Sequence, residues 1–280
     1  KLDFGMEWPD CMMPISQNYT MIEAAIYECA WAGCDTIWVI CNDDIAPLLR
    51  NRIGEQVEDP VYANRKFDKY PSDSRVQIPI YYVPIHPKDR DRIDCLPWSV
   101  LYGALTSLKI STTLSKWVRP NKYYVSFPYG IFDPTFLRDK RELISSKKNF
   151  YVTYENETVS DNKFLSFTFG KKEFVKYRTI IRKEGTKMFY GDILDLNGIP
   201  SEKIPLSERY SARFFSLSKV FRDNDMYNSN IFEPSWYYNL SSWDEYKVFL
   251  SSKVSSTIRR PWKRILPCKK DNPVGVDKIS

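Results

Sequence analysis

Apolar positions change their period early in the chain. Thr20 followed by Glu23 spells a helix-capping pair, and Ile22, Ile26, Cys29 and Ala30 continue it as an apolar stripe at helical spacing until Gly33 offers a left-handed stop. Residues 36–41 then form an unbroken apolar run rich in β-branched and aromatic side chains, the pattern of a parallel strand covered on both faces, ended by Asn42, Asp43 and Asp44. The pattern predicts another strand over residues 78–83, a helix over about 99–108 and a strand over 123–127. Such strand-helix alternation implies an α/β fold with an open, mainly parallel, Rossmann-like sheet and helices on both sides. Residues 36–41 and 123–127 are its expected inner strands.

Beyond about residue 145 the pattern tightens. Closely spaced strands are expected at 150–154, 164–169 and 188–190, forming a smaller antiparallel subregion. A helix follows from Ser207, with Tyr210, Phe214, Leu217 and Phe221 on one stripe, and a last helix opens at the capping pair Ser242 and Glu245. No periodicity is evident after Ser251, and no Gly- or Ser-rich linker separates two units. The expected organisation is one domain over residues 1–252 and a C-terminal arm over 253–280.

Composition narrows the chemistry. The 280 residues are 43% hydrophobic and 27% charged, a globular balance. The longest stretch without a charged residue, 95–108, is 14 residues, shorter than the roughly 18 to 20 of a membrane-spanning helix, so no membrane partner is expected. One histidine, His86, excludes a His-rich zinc site, and 10 glycines never closer than six positions exclude both the dinucleotide fingerprint and the P-loop. Six cysteines without a CxxC pair read as reduced thiols, hence a cytoplasmic expectation. The net charge of +6 is confined to the arm: residues 253–270 carry Lys253, Arg259, Arg260, Lys263, Arg264, Lys269 and Lys270 and no acid. Such an arm can grip an acidic protein surface, a neighbouring subunit or the phosphates of a nucleic acid.

Three stretches carry a resemblance. Cys11 to Ile15 with its Pro14, then Met21, Ile22 and Glu23 on a helix, then Ala32 to Asn42, resemble in order and spacing the proline-containing loop, first helix and second strand of the sugar-1-phosphate nucleotidyltransferases. Trp236, Tyr237, Tyr238, Asn239, Leu240, Ser241, Ser242, Trp243, Asp244, Glu245 and Tyr246 are similar to that family's late strand-turn-helix. The resemblance implies a GT-A-type α/β fold and enzymes that join a nucleoside triphosphate to a sugar phosphate, with Mg²⁺ held by two aspartates.

The positions that should carry this chemistry differ. A glycine-rich phosphate loop is not written near Lys1, Asp10 stands where the resemblance implies the loop lysine, no acid follows residues 123–127 closely enough, and Asn239 replaces the second metal aspartate. The resulting expectation is a non-catalytic, nucleotidyltransferase-like protein that binds or builds within an assembly of protein chains, with no cofactor. A kept scaffold with lost catalysts also fits proteins carried by tailed phages, and a phage-encoded chain would be expected in a virion instead of the cytoplasm. The alternatives are an active Mg²⁺-dependent nucleotidyltransferase whose phosphate loop precedes this chain, and a nucleic-acid binder working through the arm.

Other residues could touch a ligand. His86 lies after a strand, where the resemblance implies a base-contacting loop; Arg90 and Arg92 alternate with acids and could clamp phosphate; Asp43 sits at the carboxyl end of a parallel strand, the ligand edge of open α/β sheets. Phe232, Trp236, Tyr237, Tyr238, Trp243 and Tyr246 crowd one short stretch, and Arg259, Arg260, Trp262, Lys263 and Arg264 follow as interface candidates. The arm is expected to pack on another chain or, failing that, on the domain's own surface.

Overall fold

The structure, a computed structural model, describes residues 8–63, 77–85, 96–113, 119–186, 216–222, 228–262 and 265–266. The short hairpin of β1 (Pro14–Ser16) and β2 (Tyr19–Thr20) turns at Asn18, whose φ is 56°. It delivers the chain into α1 (Met21–Trp31), where Glu23 accepts hydrogen bonds from both the amide and the hydroxyl of Thr20 at 2.9 Å. The expected helix start and the Gly33 stop, at φ 81°, are both present.

β3 (Ile37–Cys41) pairs in parallel with β5 (Gln77–Pro84), Ile37 opposite Ile80 and Cys41 opposite Pro84. Between them in sequence come α2 (Ala46–Ile53), with Pro47 in its first turn, then β4 (Gln56–Glu58) and α3 (Pro60–Ala63). β4 pairs antiparallel on the far side of β5, so the order is β3-β5-β4. Over β3 lies α4 (Leu96–Thr113), so close that a Cβ on Gly103 would come within 2.8 Å of Ile40.

A second sheet has the order β10-β8-β9-β6, from β6 (Lys122–Val125), β8 (Phe150–Val152), β9 (Phe167–Gly170) and β10 (Asn230–Phe232). β6 and β8 flank β9 antiparallel, while β10 joins β8 in parallel. A ribbon of β7 (Gly130–Phe132) and β11 (Tyr237–Asn239) is antiparallel. Among the described residues the sheets are therefore mixed, which corrects the mainly parallel expectation. β3 and β6 end their ladders where inner positions were expected, because β5 and β9 take the centres. The closely spaced strands after residue 145 are antiparallel to their neighbour as expected, apart from the β8–β10 pair.

The remaining helices are α5 (Arg141–Ser145), α6 (Lys171–Thr186), α7 (Leu217–Phe221), α8 (Trp243–Ser251) and α9 (Lys253–Thr257). The first part of the arm is thus helical where no periodicity was read: Ser252 ends α8 and its hydroxyl caps α9. The strand expected at 188–190 and the helix start at Ser207 lie outside the described residues. Among the described residues, no helix is long and apolar enough to cross a membrane.

Three apolar clusters knit these elements. One joins α1 and the β3-β5-β4 sheet to Tyr246, Phe249 and Leu266 from the carboxyl end. A second is aromatic, with Tyr151, Phe167, Phe169, Tyr177 and Phe221 between the second sheet and α6 and α7. The third gathers Trp31, Phe132, Leu137, Phe150 and Leu165. A buried side chain of this size contributes about 1.5–3 kcal/mol, so removing one aromatic anchor costs a large part of a typical domain's net stability.

Candidate functional site

β11 is fixed by its ladder to β7, which sets Asn239 opposite Gly130. The chain then turns into α8, whose cap is Ser242. At this turn the Asn239 amide nitrogen donates to Glu245 Oε1 at 2.6 Å, and the Asn239 carbonyl oxygen accepts from the Ser241 amide at 3.2 Å. Glu245 Oε2 accepts from the hydroxyls of Ser241 and Ser242 at 2.9 and 3.1 Å. Both polar ends of Asn239 and both oxygens of Glu245 are therefore engaged. One turn on, the Tyr246 hydroxyl donates to the Pro14 carbonyl at 2.6 Å, tying α8 to the β1 hairpin.

Asp10 begins a 3₁₀ turn over Asp10–Met12, where burial pushes its carboxyl above the usual range. Asp43 is exposed at the carboxyl end of β3 and accepts from the Asp44 amide at 3.0 Å, the local capping role such acids take before a helix. Among the described residues, no group of three His, Cys, Asp or Glu is placed to hold a metal ion. His86, Arg90, Arg92, Lys263 and Arg264 lie outside the described residues.

A group the sequence did not single out occupies the centre of the fold. Glu28, on α1, is 4% exposed and accepts from the hydroxyls of Tyr124 and Ser126 at 2.7 Å and from that of Ser166. Burial drives its carboxyl up to about 7, the three hydroxyl donors pulling the other way. Such a carboxyl takes or gives a proton near neutrality. Glu28 also borders a pocket of about 350 Å³ between α1, β7 with the turn after it, Trp236 and residues 257–259. Tyr27, Phe132 and Ile131 make its walls largely apolar, while Asp133 and Arg259 add one charge of each sign. A second hollow of about 470 Å³, walled by the β1 hairpin and α8, adjoins Arg259 as well. Among the described residues put forward from the sequence, Arg259 lines both hollows, with Trp236 at the first and Tyr246 at the second.

The arm lies in part on its own domain. The Ser16 hydroxyl donates to the Ile258 carbonyl at 2.7 Å, the Glu58 amide donates to the Ile265 carbonyl at 3.0 Å, and Ile265 and Leu266 are buried. Arg260 turns inward, its Nη2 donating at 3.1 Å to Glu23, a carboxylate with no exposure that also accepts from Arg52 at 3.2 Å. Trp262 points the other way and is 73% exposed.

No protein-family model matches the sequence, and no curated protein does. Among solved structures, the chain is similar to a protein of Bacillus anthracis assigned as a glucose-1-phosphate thymidylyltransferase, with 9% identity, 90% of this chain and 88% of that one covered, and a TM-score of 0.47. It is also similar to a nucleoside-diphosphate-sugar pyrophosphorylase of Vibrio cholerae RC9, with 11% identity, coverage of 89% and 93%, and a TM-score of 0.43.

Proposed function

We propose that this is a non-catalytic, nucleotidyltransferase-like protein that acts as a binding or structural component of a protein assembly, its arm of residues 253–280 making the contact. The observation that carries the reading is the state of Asn239. At the position that resembles a metal aspartate, a neutral amide is engaged at both ends, and the adjacent carboxylate of Glu245 already accepts from Asn239, Ser241 and Ser242. A hard divalent cation draws its affinity from free anionic oxygens, so this donor set does not fit Mg²⁺. The exposed Trp262 and Arg259 supply the aromatic and guanidinium anchors that concentrate energy at protein interfaces.

Calorimetry with nucleoside triphosphates and Mg²⁺, beside a pyrophosphate-release assay with sugar phosphates, tests the first half: neither micromolar binding nor release is expected, and both together would overturn it. Sedimentation of the full chain and of a chain ending at residue 252 tests the second. Identical association of the two would refute a docking arm.

A further inference from the structure

α1 ends in a particular hydrogen-bonded turn. The Cys34 amide donates back to the Cys29 carbonyl at 3.2 Å, the Gly33 amide donates to the Ala30 carbonyl at 3.2 Å, and Gly33 between them has φ 81°. This is the Schellman arrangement, in which the side chains three residues before and two residues after the helix cap meet on one side of the turn. Those positions normally hold a pair of apolar side chains; here they hold Cys29 and Cys34. Backbone groups in direct hydrogen bond keep their Cα atoms within about the 4.4–6.8 Å that a disulfide spans. In keeping with this turn geometry, the Cys29 proton is held well above the ordinary thiol range, first by its interaction with Cys34 and then by burial. Both cysteines are reduced and only partly buried, and Cys34 is flanked by the exposed Gly33 and Asp35.

We infer that Cys29 and Cys34 form a modification site, a dithiol that a low-molecular-weight disulfide converts into an intramolecular disulfide closing the end of α1. The Cys34 thiolate attacks one sulfur of the external disulfide, forming a mixed disulfide and expelling one thiolate. Cys29, losing its proton as it moves in, attacks the Cys34 sulfur and expels the second. Two protein thiols are oxidised, one external disulfide is reduced to two thiols, and the two protons released are taken up by the leaving thiolates. Cys34 is the entry point because Cys29 holds its proton too firmly to begin the exchange.

The turn is braced from another direction, so oxidation closes an existing structure. Arg141 donates to the carbonyls of Ala30 and Trp31 at 2.7 and 2.9 Å while pairing with Asp59, and its side chain lies 3.0 Å from where a Cβ on Gly33 would stand.

The test uses the native full-length chain in glutathione buffers of rising disulfide content, quenched with acid, alkylated unfolded and cut after Glu28 and Asp35. In the oxidised range, the expected peptide 29–35 is two hydrogens lighter and takes no alkylating label. Cys29→Ser should stop at a single glutathione on Cys34, and Cys34→Ser should leave Cys29 free. Cys11 and Cys41, with thiols pushed up to about 12 and 11, serve as internal controls expected to take the label throughout. A peptide 29–35 labelled on both cysteines, or carrying glutathione on Cys34 in the unsubstituted chain without closing, would overturn the inference. So would closure between Cys11 and Cys41 while 29–35 stays open.

Discussion

Replacing Glu28 with glutamine should remove a pH dependence that the unsubstituted protein carries. The folded carboxyl titrates near 7 and an exposed one near 4.5, so the native state holds its proton longer than the unfolded chain does. Below pH 4.5 both states are protonated and the group's contribution is complete. Between 4.5 and 7 the unfolded chain ionises while the native carboxyl does not, and stability falls by about 1.4 kcal/mol per pH unit, roughly 3 kcal/mol in all. Above 7 both states are charged and the loss levels off. Glutamine keeps the shape of the neutral acid, with a carbonyl for the Tyr124 and Ser166 hydroxyls that share one oxygen and an amide that donates to the Ser126 hydroxyl, but it has no proton to lose in this range. Urea unfolding at several pH values from 4.5 to 8 should therefore show the variant gaining on the unsubstituted protein by about 3 kcal/mol, or about 6–12 °C in Tm for a chain of this length. Any constant offset from imperfect amide hydrogen bonding cancels in the slope. Parallel stability curves would show that Glu28 is already ionised at pH 5, and the account of its burial would be wrong.

Other expectations test separate contacts. Glu23→Gln leaves the guanidinium groups of Arg52 and Arg260 facing each other without their carboxylate, and should cost about 3–5 kcal/mol in urea unfolding while exposing the arm after Ser252 to protease; a change below about 1 kcal/mol would mean that the arm is not held there. Gly130→Ala would place a Cβ 1.8 Å from the Phe164 carbonyl oxygen, which backbone movement alone relieves, so a loss of about 3 kcal/mol or more is expected in thermal unfolding. Trp262→Ala should leave stability within about 0.5 kcal/mol, since the side chain is exposed, and should weaken self- or partner association in sedimentation.

What the sequence made legible is mostly local. The capping pair of Thr20 and Glu23, the strand at Ile37–Cys41 and the cap at Ser242 depend on neighbours a few residues away, and each is where its pattern placed it. α6 was legible in principle, because Phe174, Tyr177 and Ile181 recur at spacings of three and four and all are buried, but the dense lysines and arginines around them hide the stripe. α2 likewise announces itself by Pro47 near its start and Gly54 just past its end. Pairing direction was not legible. Strand-helix alternation suggests parallel neighbours, yet nothing local to residues 122–125 reveals that their partner is β9, some forty residues on and antiparallel.

Glu28 shows the same boundary from the side of the site. Its donors stand 96, 98 and 138 residues away, beyond the reach of any spacing rule. A clue was nonetheless present in α1, whose eleven residues include two acids and no base. A helix apolar on nearly every side is a buried helix, and whatever acids it carries must be spent inside the protein. Glu23 sits in the first turn, where the helix dipole favours negative charge, and it is the acid matched with two guanidinium groups. Glu28 sits in the last turn, where the dipole opposes charge, and burial holds its proton to about 7 against the pull of three hydroxyl donors. The helix direction thus sorts two identical side chains into an anchor for the arm and a carboxyl poised to exchange a proton at the edge of the pocket.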